Sequence, residues 1–201
     1  MNYKIINKNG NTDVILIHGL FATSGYWLNY LDYFKNSKLA ILEIDYYDLK
    51  KFKDQSNCLE KIIELEFNSK VDYIFSHSLG TIIANGVSEN LFKYSFEICP
   101  VYFSKRVLEL DFASDILNKT NAKFDLDIIK KILYEIDIQI LEYKKSLIPS
   151  IKRIPFLPSN DIYFNYNPQP IYSSNIFNGD HYEIHNAIIK SLFFINNLSS
   201  K

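Results

Sequence analysis

The chain has 201 residues, of which 47% are hydrophobic and 22% are charged, and its formal net charge at pH 7 is -1. This length and balance are typical of one globular domain with a sizeable core, so we expect residues 1–201 to form a single domain. The near-neutral charge excludes strong electrostatic attraction to nucleic acid or to an anionic membrane, and the longest apolar runs are too short to span a bilayer.

Strand-like and helix-like patterns alternate through the first hundred residues. Continuous apolar runs predict buried strands at Val14–Ile17, Ala40–Ile44, Tyr73–Phe75 and Phe96–Cys99. Helical stripes lie between them, at Trp27, Tyr30, Leu31 and Phe34, at Leu59, Ile62 and Ile63 with Ser56 as N-cap, and at Leu79, Ile82, Ile83 and Val87. This alternation predicts an α/β fold whose mostly parallel, doubly wound sheet is covered on both faces.

The second half departs from this rhythm. A helical stripe of Ile129, Ile132, Leu133, Ile136 and Ile140 lies between Asp125 and Leu147, with further apolar residues off the stripe. A helix that is apolar on more than one side needs more than one partner, so we expect a helical cap insertion at about 108–150 over the carboxyl ends of the strands. Short strand-like pieces follow Pro149, and a final helix is predicted from about Tyr182 to Leu198.

The stretch "YIFSHSLGTIIA" places Ser78 at a tight corner between a predicted strand and a predicted helix. A nucleophile elbow has this arrangement, because a sharp strand-to-helix turn exposes the serine hydroxyl above the helix N-terminus. Such a turn needs small residues two positions before and after the serine. Ser76 and Gly80 occupy these positions, with Ser76 replacing the usual glycine of G-x-S-x-G.

Three segments together resemble the α/β-hydrolase superfamily: "DVILIHGLFATSGYW", "FSHSLG" and "FNGDHYEIH". The resemblance covers nearly the whole chain, and the segments occur in the family's order. It implies a small serine esterase or thioesterase with the α/β-hydrolase fold. By resemblance, Ser78 is the nucleophile, His181 the general base, and the backbone N–H groups of Leu20 and Leu79 form the oxyanion hole.

The family order places an acidic residue between the nucleophile and the histidine. If "RIPFLPS" is the preceding strand, Asp161 lies just past its end and is the favoured acid. If "IYFNY" is that strand, the position falls on Asn167, an amide that cannot stabilise an imidazolium by charge. An acid elsewhere, such as Asp111 or Asp115, is a further alternative.

Other polar residues near these motifs have simpler interpretations. We expect Asp180 to serve a turn, and His18 and His77 to be structural residues around the oxyanion loop and the elbow. His181 and His185 are four residues apart, but Glu183 is misplaced for H-E-x-x-H and no third ligand cluster is evident. We therefore expect no metal and no cofactor.

Cys58 and Cys99 lack a C-x-x-C pattern, and the polar start of the chain does not resemble a signal peptide. We therefore expect reduced thiols and a cytoplasmic location.

The resemblance predicts hydrolysis of a carboxylic ester or thioester with an apolar acyl group. Coenzyme A or an acyl carrier protein is a candidate acyl carrier, and a carrier-bound pimeloyl methyl ester is one concrete substrate. Basic residues that would suit an acidic carrier are Lys105, Arg106, Lys130, Lys131, Lys144 and Lys145. The alternative hypothesis, based on the missing elbow glycine and the uncertain acid, is a non-catalytic ligand-binding protein with this fold.

Overall fold

A computed structural model describes residues 1–20, 22–44, 52–106, 114, 126–144, 150–166 and 175–198. The strands in these residues are β1 (Asn2–Ile6), β2 (Thr12–Ile17), β3 (Ser37–Glu43), β4 (Val71–His77), β5 (Phe92–Ile98), β6 (Ser104–Arg106), β7 (Arg153–Pro158), β8 (Phe164–Tyr166) and β9 (Ile176–Phe177). The α-helices are α1 (Phe52–Glu66), α2 (Gly80–Asn85), α3 (Leu126–Lys144) and α4 (His185–Leu198), and 3₁₀ helices span Ser24–Phe34, Glu89–Leu91 and Val101–Phe103. Among the described helices, none is long and apolar enough to cross a membrane.

Seven strands form one twisted sheet in the order β1-β3-β2-β4-β5-β7-β9. All neighbours pair in parallel except β1, which runs antiparallel to β3 at the sheet edge. A separate two-stranded ribbon joins β6 and β8. The mostly parallel, doubly wound α/β sheet that the sequence predicts is therefore confirmed. Because the strands are parallel, the carboxyl ends of β2, β4, β5 and β7 meet at one edge.

The sheet is buried on both faces, as the continuous apolar runs predict. Within β2, Ile15 and Ile17 pack against α1 and α2, whereas Val14 and Leu16 face the opposite side. That opposite layer contains Trp27 and Phe34 from the 3₁₀ helix and Ala187 and Ile188 from α4. Two residues of α3, Ile132 and Ile136, join the α1–α2 layer, so the helix of the predicted cap packs onto the main core.

Several local predictions are wrong in detail. The stripe at Trp27 lies on a 3₁₀ helix, in which Trp27 and Phe34 are the buried members. Ser56 is not an N-cap: α1 begins at Phe52, and the Ser56 hydroxyl lies inside the helix near the carbonyl oxygens of Phe52 and Ile83. The last helix begins at His185, after a turn at Asp180. Strand β1 carries an alternating pattern too weak to be recognised in the sequence.

A buried polar cluster joins β5, β7 and the end of α2. Two guanidinium nitrogens of Arg153 donate to the carbonyl oxygens of Ala84 and Val87, at 2.9 and 2.6 Å. Glu97, fully buried on β5, accepts from the Asn85 amide at 3.1 Å and lies 3.7 Å from Arg153. Burial outweighs the attraction of Arg153 and raises the pKa of Glu97 to about 8, from an ordinary value of 4.5.

We predict that Glu97 makes folding stability fall as pH rises through neutrality. Its raised pKa means that the folded chain holds the proton more tightly than the unfolded chain. The associated stability is fully present below about pH 4.5 and is lost as the pH rises towards about 8. Urea unfolding at a series of pH values should show this slope in the wild type relative to Glu97→Gln.

The matched control is Glu64→Gln, which removes one negative charge from the exposed face of α1. This variant should keep the wild-type slope. Parallel stability curves for the wild type and Glu97→Gln would contradict the prediction.

Candidate active site

Ser78 stands at the turn between β4 and α2, and its backbone adopts the left-handed conformation, with φ of 52°. This conformation is unfavourable for a residue with a Cβ, so surrounding contacts must hold it. The Ser78 amide donates to the carbonyl oxygen of Ile98 at 2.9 Å, and its own carbonyl accepts from the Thr81 hydroxyl at 2.6 Å. This is the geometry of a nucleophile elbow.

Two glycines allow the elbow to pack against the end of β2. A Cβ added to Gly80 would lie 2.6 Å from the carbonyl oxygen of His18, which is a backbone clash. A Cβ added to Gly19 would lie 2.8 Å from the Cβ of Ser78. Ser76 takes the place of the third small residue, with its buried hydroxyl 3.5 Å from the carbonyl oxygen of Phe96. A serine therefore fits where the motif usually has glycine.

The three side chains predicted as catalytic form one hydrogen-bonded chain. Nε2 of His181 lies 2.8 Å from Oγ of Ser78, and Nδ1 of His181 lies 2.7 Å from Oδ2 of Asp161. The carboxylate requires a proton on Nδ1, which leaves Nε2 as the acceptor of the serine proton. The other oxygen of Asp161 accepts from the backbone N–H groups of Tyr163 and Phe164, at 2.8 and 3.1 Å.

The loop that carries His181 is fixed on several sides. Oδ1 of Asp180 accepts from the backbone N–H groups of Tyr182 and Glu183, at 2.7 and 2.8 Å, so the predicted turn role of Asp180 is confirmed. The hydroxyls of Tyr26 and Tyr30 donate to the carbonyl oxygen of Tyr182, at 3.1 and 3.4 Å. These contacts hold the loop against the 3₁₀ helix.

His18 has the structural role that the sequence analysis assigns to it. The Ile44 amide donates to Nε2 of His18 at 3.0 Å, so Nδ1 carries the proton and donates to the carbonyl oxygen of Gly19 at 2.8 Å. Burial lowers the pKa of this histidine, which favours the neutral form that these two bonds require. His18 thereby ties β3 to the loop that approaches Ser78.

The Ser78 hydroxyl opens into a pocket of about 640 Å³, including its open mouth. Its polar lining groups include Ser78 and His181 at one end, together with Tyr26, His77, Asp137 and Tyr182. The apolar lining includes Leu20, Leu79, Val101, Leu133, Ile136 and Ile140. Both residues predicted to supply the oxyanion hole, Leu20 and Leu79, thus lie beside the serine. Leu133, Ile136, Asp137 and Ile140 of this lining belong to helix α3.

This arrangement matches solved structures over almost the whole chain. An alpha/beta hydrolase enzyme from the metagenome of sediments of the Mar Chica lagoon, Morocco, matches with a TM-score of 0.67 and 15% identity, covering 98% of this chain and 94% of that chain. This chain has the α/β-hydrolase fold. The type II thioesterase YbtT of the yersiniabactin pathway gives a TM-score of 0.61 at 10% identity, covering 98% of this chain and 96% of that chain.

The monoacylglycerol lipase of Paleococcus ferrophilus has the same fold, with a TM-score of 0.63, 14% identity, and coverage of 98% of this chain and 96% of that chain. No protein-family model matches the sequence, and no curated protein sequence matches it significantly. The similarity to α/β-hydrolases is therefore found by comparing three-dimensional structures and not by comparing sequences.

The structure bears on the His181–His185 zinc hypothesis but not on the alternative acids. Asn167, Asp111 and Asp115 lie outside the described residues. His181 and His185 do not share a helical face, because α4 begins at His185 and that imidazole contacts the Tyr33 hydroxyl at 2.9 Å. Among the described residues, Cys99, Asp161 and His181 have atoms within 4.8 Å of one another, but the Asp161–His181 hydrogen bond already occupies Nδ1.

We predict that Gly80→Ala destabilises this α/β-hydrolase fold by about 1–3 kcal/mol, the usual cost of an added methyl group in a packed interior. The new Cβ would collide with the carbonyl oxygen of His18, and a backbone atom cannot move away alone. Urea unfolding measures the effect. Gly25→Ala is the control, because a Cβ added there would lie 3.1 Å from the Thr23 hydroxyl oxygen, a side-chain atom and not a backbone atom. Equal stability of the two variants would contradict the prediction.

Proposed function

We propose that the protein is a serine hydrolase that cleaves a carboxylic ester or thioester through an acyl-enzyme on Ser78. The observation that carries this proposal is the continuous hydrogen-bonded chain from Ser78 Oγ through the His181 imidazole to the Asp161 carboxylate. A pure binding protein gains nothing from a base placed 2.8 Å from a serine held in a strained turn.

In the first half of the reaction, Oγ of Ser78 attacks the acyl carbon while Nε2 of His181 takes its proton. The resulting oxyanion would accept hydrogen bonds from the backbone N–H groups of Leu20 and Leu79. The tetrahedral intermediate then collapses, the bond to the leaving oxygen or sulfur breaks, and His181 gives the proton to that atom. In the second half, water attacks the acyl carbon while Nε2 of His181 takes its proton, the bond to Ser78 Oγ breaks as His181 returns the proton to that oxygen, and the carboxylic acid product leaves.

Asp161 is the proposed acid of the triad. Its carboxylate holds the His181 imidazole in the tautomer that the mechanism needs and stabilises the imidazolium that forms. Two backbone N–H groups fix its second oxygen, and its side chain is only 1% exposed. A rigid, desolvated carboxylate is better suited to this task than the amide of Asn167, the alternative that the sequence left open.

The proposed substrate carries an apolar acyl group. The pocket beside Ser78 is lined mainly by aliphatic side chains, and three of them, Leu133, Ile136 and Ile140, come from α3. Apolar lining of this kind binds an acyl chain by removing its surface from water. Structural neighbours that include a type II thioesterase and a monoacylglycerol lipase fit the same class of substrate.

A thioester on coenzyme A or on an acyl carrier protein is the finer form of this proposal, and a carrier-bound pimeloyl methyl ester is a related candidate. The support is the description of two neighbours as thioesterases and the exposure of Lys130 and Lys131 on α3. Measuring the hydrolysis rate of one acyl group supplied as a free ester, as a coenzyme A thioester and as a carrier-protein thioester would distinguish these substrate classes.

We predict that a fluorophosphonate probe labels Ser78 of the wild type. Ser78→Ala should remove the labelling. His181→Ala should slow it strongly, and Asp161→Asn should lower the hydrolysis rate by up to about 10⁴-fold, as in other Ser-His-Asp enzymes. Labelling followed by peptide mass spectrometry identifies the modified residue.

The matched control is His185→Ala, which removes a histidine four residues from His181 that contacts Tyr33. Its labelling rate should equal that of the wild type. Absence of labelling in folded wild type would refute the proposed hydrolase and favour the hypothesis of a non-catalytic binding protein.

We also predict that catalytic efficiency on p-nitrophenyl esters rises with acyl length until the pocket is filled, by up to about fourfold for each methylene. Ile136→Trp should shift the preferred chain length to shorter acyl groups, because Ile136 is buried and lines the pocket. The control is Ile138→Trp on the outer side of α3, where the side chain is 37% exposed. A flat chain-length profile, or an equal shift in both variants, would count against an acyl pocket under α3.

A further inference from the structure

His77, the residue before the proposed nucleophile, is buried at the centre of the site. Its Nε2 lies 2.7 Å from the carbonyl oxygen of His181. Because a carbonyl oxygen only accepts, Nε2 must carry the proton, and Nδ1 is then an unprotonated acceptor. The ring stacks on Tyr26, with centroids 4.8 Å apart and planes inclined by 21°.

The same imidazole reaches the oxyanion loop on its other side. A Cβ added to Gly19 would lie 3.1 Å from Nδ1 of His77, so this nitrogen faces the glycine next to Leu20. Within the described part of the chain, Nδ1 is buried and has no hydrogen-bond partner. His77 therefore lies between the loop that holds the base, to which it is hydrogen-bonded, and the loop that approaches Ser78.

A purely structural residue at this position would not need to be histidine. A buried ring nitrogen without a partner costs desolvation free energy, which an apolar ring of similar shape would avoid. What the histidine adds is one short, buried hydrogen bond to the backbone of His181 itself. Burial and the neighbouring His181 also hold the pKa of His77 well below its ordinary value, so the ring stays neutral beside the base.

We propose that His77 is a positioning residue, whose Nε2–H fixes the backbone of His181 so that its imidazole stays aligned with Ser78. This inference rests on the proposed hydrolase function. It concerns alignment of the base. His77 also lines the pocket, so the measure of alignment is kcat and not KM, and loss of the bond should lower kcat because the reacting geometry is disturbed.

The experiment compares His77→Phe, His77→Gln and Tyr30→Phe by steady-state kinetics on one neutral ester. Phenylalanine keeps a ring for stacking on Tyr26 but has no donor, whereas the amide nitrogen of glutamine can occupy the position of Nε2. We expect His77→Phe to lower kcat by roughly 10-fold to 100-fold. We expect His77→Gln to recover most of that loss.

Tyr30→Phe is the matched control, because it removes a hydrogen bond to the same loop, one residue further on, at the Tyr182 carbonyl. Its kcat should change less than that of His77→Phe. Wild-type kcat in folded His77→Phe, no recovery in His77→Gln, or an equal loss in Tyr30→Phe would each overturn the inference.

A second measurement does not depend on the variants folding or on turnover. In ¹⁵N-edited NMR of the wild type at neutral pH, the His77 ring should show the neutral tautomer protonated on Nε2. A neutral ring protonated on Nδ1 would overturn the inference. If fluorophosphonate fails to label the wild type, the proposed function fails. If the wild type is labelled and His77→Phe has the wild-type kcat, only the proposed role of His77 is refuted.

Discussion

The left-handed backbone of Ser78 is the constraint on which the site depends. Such a conformation costs about 1–2 kcal/mol for a residue with a Cβ, and it persists only where neighbouring structure enforces it. Here the enforcing contacts come from two other strands: Ile98 at the end of β5 accepts the Ser78 amide, and His18 at the end of β2 leaves room only for glycine at position 80. The register of three parallel strands therefore determines where the serine hydroxyl points.

The same sheet edge brings the partners of Ser78 together from distant parts of the chain. Asp161 follows β7, and His181 follows β9, which pairs with β7 through Leu157 and Pro158. Parallel neighbours end at the same edge, so residues that are 103 apart in sequence, Ser78 and His181, meet at hydrogen-bond distance. Helix α3 contributes Leu133, Ile136 and Ile140 to the lining of the pocket beside this edge.

Much of this arrangement can be predicted from the sequence, because the relevant signals are local. Apolar runs identify the buried parallel strands, and the tight strand-to-helix corner identifies Ser78. Strand β1 is harder to predict, since an antiparallel edge strand with one partly exposed face carries a weak pattern. The start of α1 is missed because Ser56 resembles an N-cap. Its hydroxyl in fact lies within hydrogen-bond distance of the carbonyl oxygens of Phe52 in α1 and Ile83 in α2, and only the tertiary structure brings Ile83 there.

His77 illustrates what a local pattern cannot provide. Its position before the serine indicates a structural residue, but the proton location on its ring depends on a carbonyl oxygen 104 residues away. In His18 and His181, too, a distant group determines which ring nitrogen carries the proton. That group is the Ile44 amide for His18 and the Asp161 carboxylate for His181. Each imidazole joins separate segments of the chain by a hydrogen bond. The chemistry of the site thus resides in long-range hydrogen bonds, which the sheet topology creates and which no short stretch of sequence specifies.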